Sequence, residues 1–169
     1  MIRRLLFISF LGVLCLLGRS ANAMPFNIIP VEPGHPWYEK LTPQFKALGT
    51  VVEAAGLAWS ERVPKELKQA DASVFCSSLG EGARLPTRED YLRLTRTVGA
   101  KTPEIGDFDG YQGRFLAYLF SGMPGQKVAV KYWSSSTSKD GKWARLFDTR
   151  TGRFTWAERG ALFSVRCVY

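Results

Sequence analysis

Beyond an apolar leader the chain holds two cysteines, Cys76 and Cys167. No other pair of residues constrains the fold as strongly. A bond between them would close a loop of about 90 residues and stabilise the folded state by roughly 4 kcal/mol through the lost entropy of the unfolded chain. Whether they pair depends on the compartment, and the leader speaks to that. Met1-Ile2-Arg3-Arg4 is followed by an apolar stretch from Leu5 to Leu17 and then by Gly18-Arg19-Ser20-Ala21-Asn22-Ala23. This is the pattern of a secretory signal peptide cleaved after Ala23, with small residues where the peptidase reads. The apolar run falls short of the roughly 20 residues of a membrane span, so no stable membrane insertion is expected. Cys15 lies inside it but follows Leu14, where a lipidation site wants a small side chain.

Cleavage removes Cys15 and leaves an even pair in an exported chain, in the periplasm or outside the cell. Oxidising conditions there favour a Cys76–Cys167 disulfide. The competing reading, a reactive or metal-binding thiol pair, finds no nearby cysteine or histidine to complete a site. The leader also carries Arg3, Arg4 and Arg19 out of a total of 23 basic against 15 acidic side chains. The mature chain is therefore mildly basic, a balance that suits loose association with anionic glycans or envelope polymers. Nucleic acid is not an expected partner of an exported protein.

The organisation reads as a signal peptide over 1–23, a proline-rich N-terminal arm with a short helix over 24–49, and one domain over 50–169. Pro25, Pro30, Pro33 and Pro36 exclude helix and central strand from the start of the arm. Its apolar residues Phe26, Ile28, Ile29 and Val31 leave both docking and a free arm open. Trp37, Tyr38, Leu41, Phe45 and Leu48 have rough helical spacing around Pro43. Two brief strands follow at 50–52 and 56–60, with Trp59 as a core anchor. Pro64 can open a helix whose face carries Leu67, Ala70 and Val74, with Phe75 and Leu79 beside them, and Cys76 rides on it until Gly80. Thr87 and Asp90 form a variant capping box for a second helix with a Tyr91, Leu94 and Val98 stripe ending at Gly99. A turn-rich stretch precedes a short apolar segment at Phe115, Leu116, Leu119 and Phe120. The remainder reads as strands over 128–133, 143–147, 153–156 and 162–168, with a hairpin turn over 148–152.

The helix ending in Cys76-Ser77-Ser78-Leu79-Gly80, the run Arg84-Leu85-Pro86-Thr87-Arg88-Glu89-Asp90-Tyr91, then Tyr132-Trp133-Ser134-Ser135-Ser136 and the closing Phe163-Ser164-Val165-Arg166-Cys167-Val168 resemble the Lcl C-terminal domain family, also met as the fibrobacter-type major paralogous domain. These are bacterial exported domains, mostly uncharacterised. The resemblance covers Gly56 to Val168. It implies an α+β, C-type-lectin-like fold, related also to sulfatase-modifying factors, with two helices packed on a small twisted antiparallel sheet and pinned by one disulfide. Family members attached to collagen-like adhesins imply binding of polyanionic glycans.

Calcium-dependent sugar lectins of the wider fold use acidic and amide oxygens around the ion, and Trp133 is followed here by serines instead. Asp107 and Asp109 alternate but lack the later acid of an EF-type loop, which reads as a solvated turn. The sole histidine, His35, lies among prolines with no sequence neighbour to build a triad. No catalytic residues, metal or cofactor are expected. The chain reads as a non-enzymatic binding or adhesion module for an envelope or extracellular glycan. The candidate surface comprises Trp133, Ser134, Ser135, Ser136, Lys139, Arg145, Trp156 and Arg159, combining hydroxyls, aromatic faces and cations. Two alternatives stand beside it: an accessory protein that binds an envelope protein through its apolar arm, and an oxidoreductase-like member of the modifying-factor branch.

Overall fold

The computed structural model describes residues 29–97, 130–149 and 151–169. The leader, Phe26, the Asp107–Asp109 turn and the Phe115 to Phe120 segment lie outside them. Among the described residues the fold is α+β, with two three-stranded antiparallel sheets and one disulfide. The first sheet orders β1 (Ile29–Pro30), β2 (Val52–Ala54) and β3 (Leu57–Trp59). Ala54 pairs with Leu57, leaving Ala55 and Gly56 as a two-residue turn with φ of 55° and 76°. Positive φ at both positions matches the twist of a tight hairpin.

The stretch before β2 joins the domain. Val31 donates to the Val51 carbonyl at 2.9 Å, and Val31, Leu41 and Phe45 lie in one core with Ala58 and Trp133. The expected helix over 37–47 shrinks to α1 (Pro43–Lys46), capped by the Thr42 hydroxyl, which accepts from Phe45 N–H at 3.2 Å. Turns occupy the residues before it, because the chain bends at Gly34 with φ of 95°. The Thr42 hydroxyl also donates to the Leu79 carbonyl. At Gly80, with φ of 138°, an added Cβ would fall 2.3 Å from Thr42 Cγ2, so the arm closes onto a glycine.

Helix α2 spans Gln69–Ser77 rather than starting at Pro64. Leu67 is held extended by reciprocal backbone bonds with Phe163 at 3.0 and 3.2 Å, which delays the helix. The buried face is Gln69, Ala72 and Cys76. Val74, expected on it, is 71% exposed, because the disulfide and the docked sheet orient α2 about Cys76. Helix α3 (Arg88–Thr97) starts where the capping box predicts. Thr87 N–H and Oγ1 donate to Asp90 Oδ2 at 2.7 and 2.8 Å, and Asp90 N–H donates back to Thr87 Oγ1 at 3.1 Å.

The second sheet orders β4 (Lys131–Thr137), β5 (Trp143–Asp148) and β6 (Phe154–Glu158). Successive strand side chains point to opposite faces, and here both faces are covered near β4. Trp133, Ala144 and Leu146 pack with Ala72 and Cys76 of α2. Tyr132 and Phe147 pack with Tyr91 and Leu94 of α3 and with Trp59. Tyr91 stacks on Phe147 at 4.6 Å between centroids.

The C-terminal segment, expected as a strand over 162–168, instead forms a seam of isolated bridges. On one side Val63 donates to Val165 and Ser60 to Cys167, each at 2.9 Å, and on the other Trp133 donates to Ser164 at 3.1 Å. Changing partner every few residues keeps it from a single regular ladder. The Cys76–Cys167 disulfide, with Cα atoms 5.4 Å apart, ties this seam to α2.

Candidate functional site

The serines after Trp133 do not form a loop. They continue β4 through a register shift between Trp133 and Thr137, and each is tied into the fold by a backbone or hydroxyl bond. The Ser134 carbonyl accepts from Gln69 Nε2 at 3.3 Å, Ser135 N–H donates to the Pro86 carbonyl at 2.8 Å, and Ser136 Oγ accepts from Arg88 N–H at 3.0 Å. The last of these satisfies a first-turn donor of α3. Trp133 and Ser134 are fully buried. The Trp133 indole N–H donates to the Leu67 carbonyl at 2.8 Å, and its ring meets Phe163 edge-on at 5.1 Å. Neither residue reaches a surface ligand, which corrects their place in the expected site; the tryptophan needed the core partner that the chemistry of its ring favours.

Arg159 is also built in. Its Nε donates to Gln69 Oε1 at 2.8 Å and its Nη1 to the Gly141 carbonyl at 3.1 Å. It braces the β4–β5 hairpin against the start of α2.

Trp156, Arg145 and Lys139 remain on the surface, joined by Trp143. Trp143 pairs with Glu158 and Arg145 with Trp156 across β5 and β6, so Trp143, Arg145, Trp156 and Glu158 share one face. It is the face that α3 covers farther along, at Phe147 and Phe154. Trp143 and Trp156 are diagonal neighbours, 40% and 45% exposed. They line an open groove of about 520 Å³ together with Ser138, Lys139 and Asp140. Diagonal positions on adjacent strands lie within reach of aromatic side chains.

Hydrogen bonds within the turn fasten the hairpin tip. Ser138 Oγ donates to Asp140 Oδ1 at 2.5 Å and accepts from Trp143 N–H at 3.0 Å, while Asp140 Oδ1 also accepts from Lys142 N–H at 3.1 Å. The Ser138 hydrogen bond, then the Lys142 amide, hold the Asp140 carboxyl below its ordinary range. Asp140 is thus committed to its own turn. The Arg145 guanidinium sits over the Trp156 ring, 4.1 Å from Cζ to centroid. Burial, then the charge of Arg88, lowers the Arg145 pKa. Among the described residues Lys139 and Arg145 have no carboxylate partner.

His35 lies elsewhere. Its Nε2 is 3.2 Å from Glu53 Oε2, and its Nδ1 accepts from Trp37 N–H at 3.2 Å, so it fastens the arm to β2. Sequence neighbours gave no sign of Glu53. Among the described residues no three His, Cys, Asp or Glu side chains converge as metal ligands, and no helix is long and apolar enough to cross a membrane. Both cysteine sulfurs are bonded and buried. Compared with models of known protein families and with curated protein sequences, the chain matches none.

Trp133, Trp143 and Trp156 fall in consecutive strands, where one or two could form an exposed stacking platform, and the structure puts Trp143 and Trp156 in that place. Alternation of Trp143 with Ala144 along a strand placed it on one of two faces, but which face stayed open to solvent depended on where α3 stops.

Proposed function

We propose that the protein is an exported, non-enzymatic binding module of C-type-lectin-like kind that takes an anionic glycan in the groove between Trp143 and Trp156. The observation that carries this reading is the pairing of two exposed indoles with two cations, Lys139 and Arg145, that lack carboxylate partners among the described residues. A sugar ring presents an apolar face for an indole, and a sulfate or carboxylate accepts from guanidinium and ammonium groups. Asp140 keeps its negative charge at the turn, and Lys139 and Arg145 outnumber it along the groove. The disulfide accords with export, and the sequence resemblance points to the same ligand class.

The protein-binding alternative rested on a free apolar arm. Val31 lies in the core and the Ile29 backbone pairs with Glu53, while the Ile29 side chain stays exposed and Phe26 and Ile28 lie outside the described residues. The oxidoreductase-like alternative needs a reactive cysteine, and a buried, bonded pair offers none.

Titration of the protein's tryptophan fluorescence with dextran sulfate and with uncharged dextran of equal length tests the proposal. Dextran sulfate should bind with an affinity that falls as salt shortens the Debye length, and dextran should not. Trp143→Ala and Arg145→Ala should each weaken binding with the fold intact. Equal binding of both polymers, or unchanged affinity in both variants, would overturn it.

A further inference from the structure

Among the described residues strand β6 is the outer strand of its sheet, paired on one side only, with β5. The backbone bonds on either side of β6 fix which of its groups face outward. Asp148 N–H donates to the Arg153 carbonyl at 2.9 Å and Arg159 N–H to the Lys142 carbonyl at 3.2 Å. Hydrogen-bonded and non-bonded pairs alternate along an antiparallel ladder, so Thr155 and Ala157 bond to β5. Phe154, Trp156 and Glu158 then turn their N–H and C=O groups to the outer edge; the Glu158 carbonyl accepts from Ala161 N–H at 3.0 Å, and among the described residues the other five groups have no partner. Natural sheets protect such edges with prolines, bulges or lysines pointing inward. Strand β6 is five residues of regular register without any of these, and Trp156 stands exposed at its centre.

The charge around the edge states what would suit it. Arg145 belongs to β5, yet its guanidinium reaches over the Trp156 ring on β6. Arg153, Lys139 and Lys142 are exposed nearby, whereas Glu158 is the one acid within β6 itself. A second copy of this chain would bring the same cations against one another, which disfavours pairing of two β6 edges. We propose that β6 accepts, by antiparallel strand addition, an extended acidic peptide segment of a partner protein. Its backbone would bond to Phe154, Trp156 and the Glu158 N–H, and its alternate acidic side chains would lie on the face of Trp156 and Arg145. Backbone pairing supplies the affinity in this mode and the alternate side chains the selectivity. This surface is an edge of backbone donors and acceptors, so the inference does not rest on the glycan reading.

Hydrogen exchange of the mature protein, read at single amides by NMR, tests it with three capped heptapeptides. One alternates Thr and Glu, the second has Lys for Glu, and the third carries N-methyl groups on its Glu residues. In the free protein the amides of Phe154, Trp156 and Glu158 should exchange at least tenfold faster than those of Thr155 and Ala157. Saturating Thr/Glu peptide should slow the three outward amides by at least tenfold. The Lys and N-methylated peptides should bind at least tenfold more weakly, and Arg145→Gln should narrow the gap between Glu and Lys peptides. Outward amides protected in the free protein in a concentration-dependent way would replace the peptide by a second copy and overturn the proposal. So would equal binding of the Glu and Lys peptides, equal binding of the N-methylated peptide, or no protection by any of them.

Discussion

Gln69 and Arg159 hold each other twice: the Gln69 N–H donates to the Arg159 carbonyl at 3.1 Å, and Arg159 Nε donates to Gln69 Oε1 at 2.8 Å. Gln69 is the first residue of α2 and is buried, and its Nε2 reaches on to the Ser134 carbonyl in β4. One amide side chain thus joins a helix start, strand β4 and the segment leaving β6. An arginine that looks like a ligand group in the sequence is a strut in the fold.

Arg159→Ala should therefore lower stability by about 1–2 kcal/mol, the range for losing a hydrogen bond to a charged group and leaving its partner unsatisfied. Lys139→Ala, with no partner among the described residues, should stay within about 0.5 kcal/mol of the parent. Urea denaturation of the two variants checks the contrast. A double-mutant cycle of Arg159→Ala with Gln69→Ala should show coupling, since the residues share their bonds.

Replacing Cys76 and Cys167 together by serine should cost about 2–5 kcal/mol, the range for removing a native bridge from a small domain. The loss should be read by denaturation of the oxidised parent beside the double variant. The seam of residues 163–169 should lose amide protection first, because the bridge is its covalent tie to α2.

Asp90 links stability to acid. Burial opposes its charge, but hydrogen bonds from Arg84, at 2.5 and 3.2 Å, and from Thr87 outweigh that and hold the carboxyl below its ordinary value. A carboxyl with a lowered folded pKa stabilises the fold above its unfolded value, about 3.9, and that stabilisation is lost as pH falls below it. Asp90→Asn should cost about 1–2 kcal/mol at neutral pH, the scale of a lost helix cap. It should also flatten the fall in melting temperature as the pH drops below about 4. A variant that melts with the parent's acid slope would show that Asp90 does not carry it.

Ala55 has φ of 55° beside Gly56. A non-glycine residue in the left-handed region costs roughly 1–2 kcal/mol, offset by the greater unfolded-state freedom of glycine at about 0.5–1 kcal/mol. Ala55→Gly should raise stability by about 0.5 kcal/mol, whereas Gly56→Ala, at φ of 76°, should lower it. Thermal melts of both variants give the signs.

Much of the fold is legible along the chain because its determinants are local. The Thr87 and Asp90 box marks the start of α3 three residues apart, alternation marks β4 to β6, and the even pair of cysteines beyond the apolar leader foretells the bridge. The leader stands as a reading of its own residues. What local patterns could not assign was which side of an element faces inward. Trp133 and Trp143 are both strand tryptophans among polar residues, yet one is fully buried and the other 40% exposed. The difference comes from the residues that cover each face: α2 and the seam close over Trp133, while α3 ends its cover at Phe154 and leaves Trp143 and Trp156 open. The same holds for Val74, turned outward by the bridge at Cys76, and for the Ser134 to Ser136 run, whose partners Gln69, Pro86 and Arg88 lie far off in sequence. Periodicity and capping act over a few residues and are written in the chain, whereas exposure is decided by contacts between distant segments, which only the tertiary structure brings together.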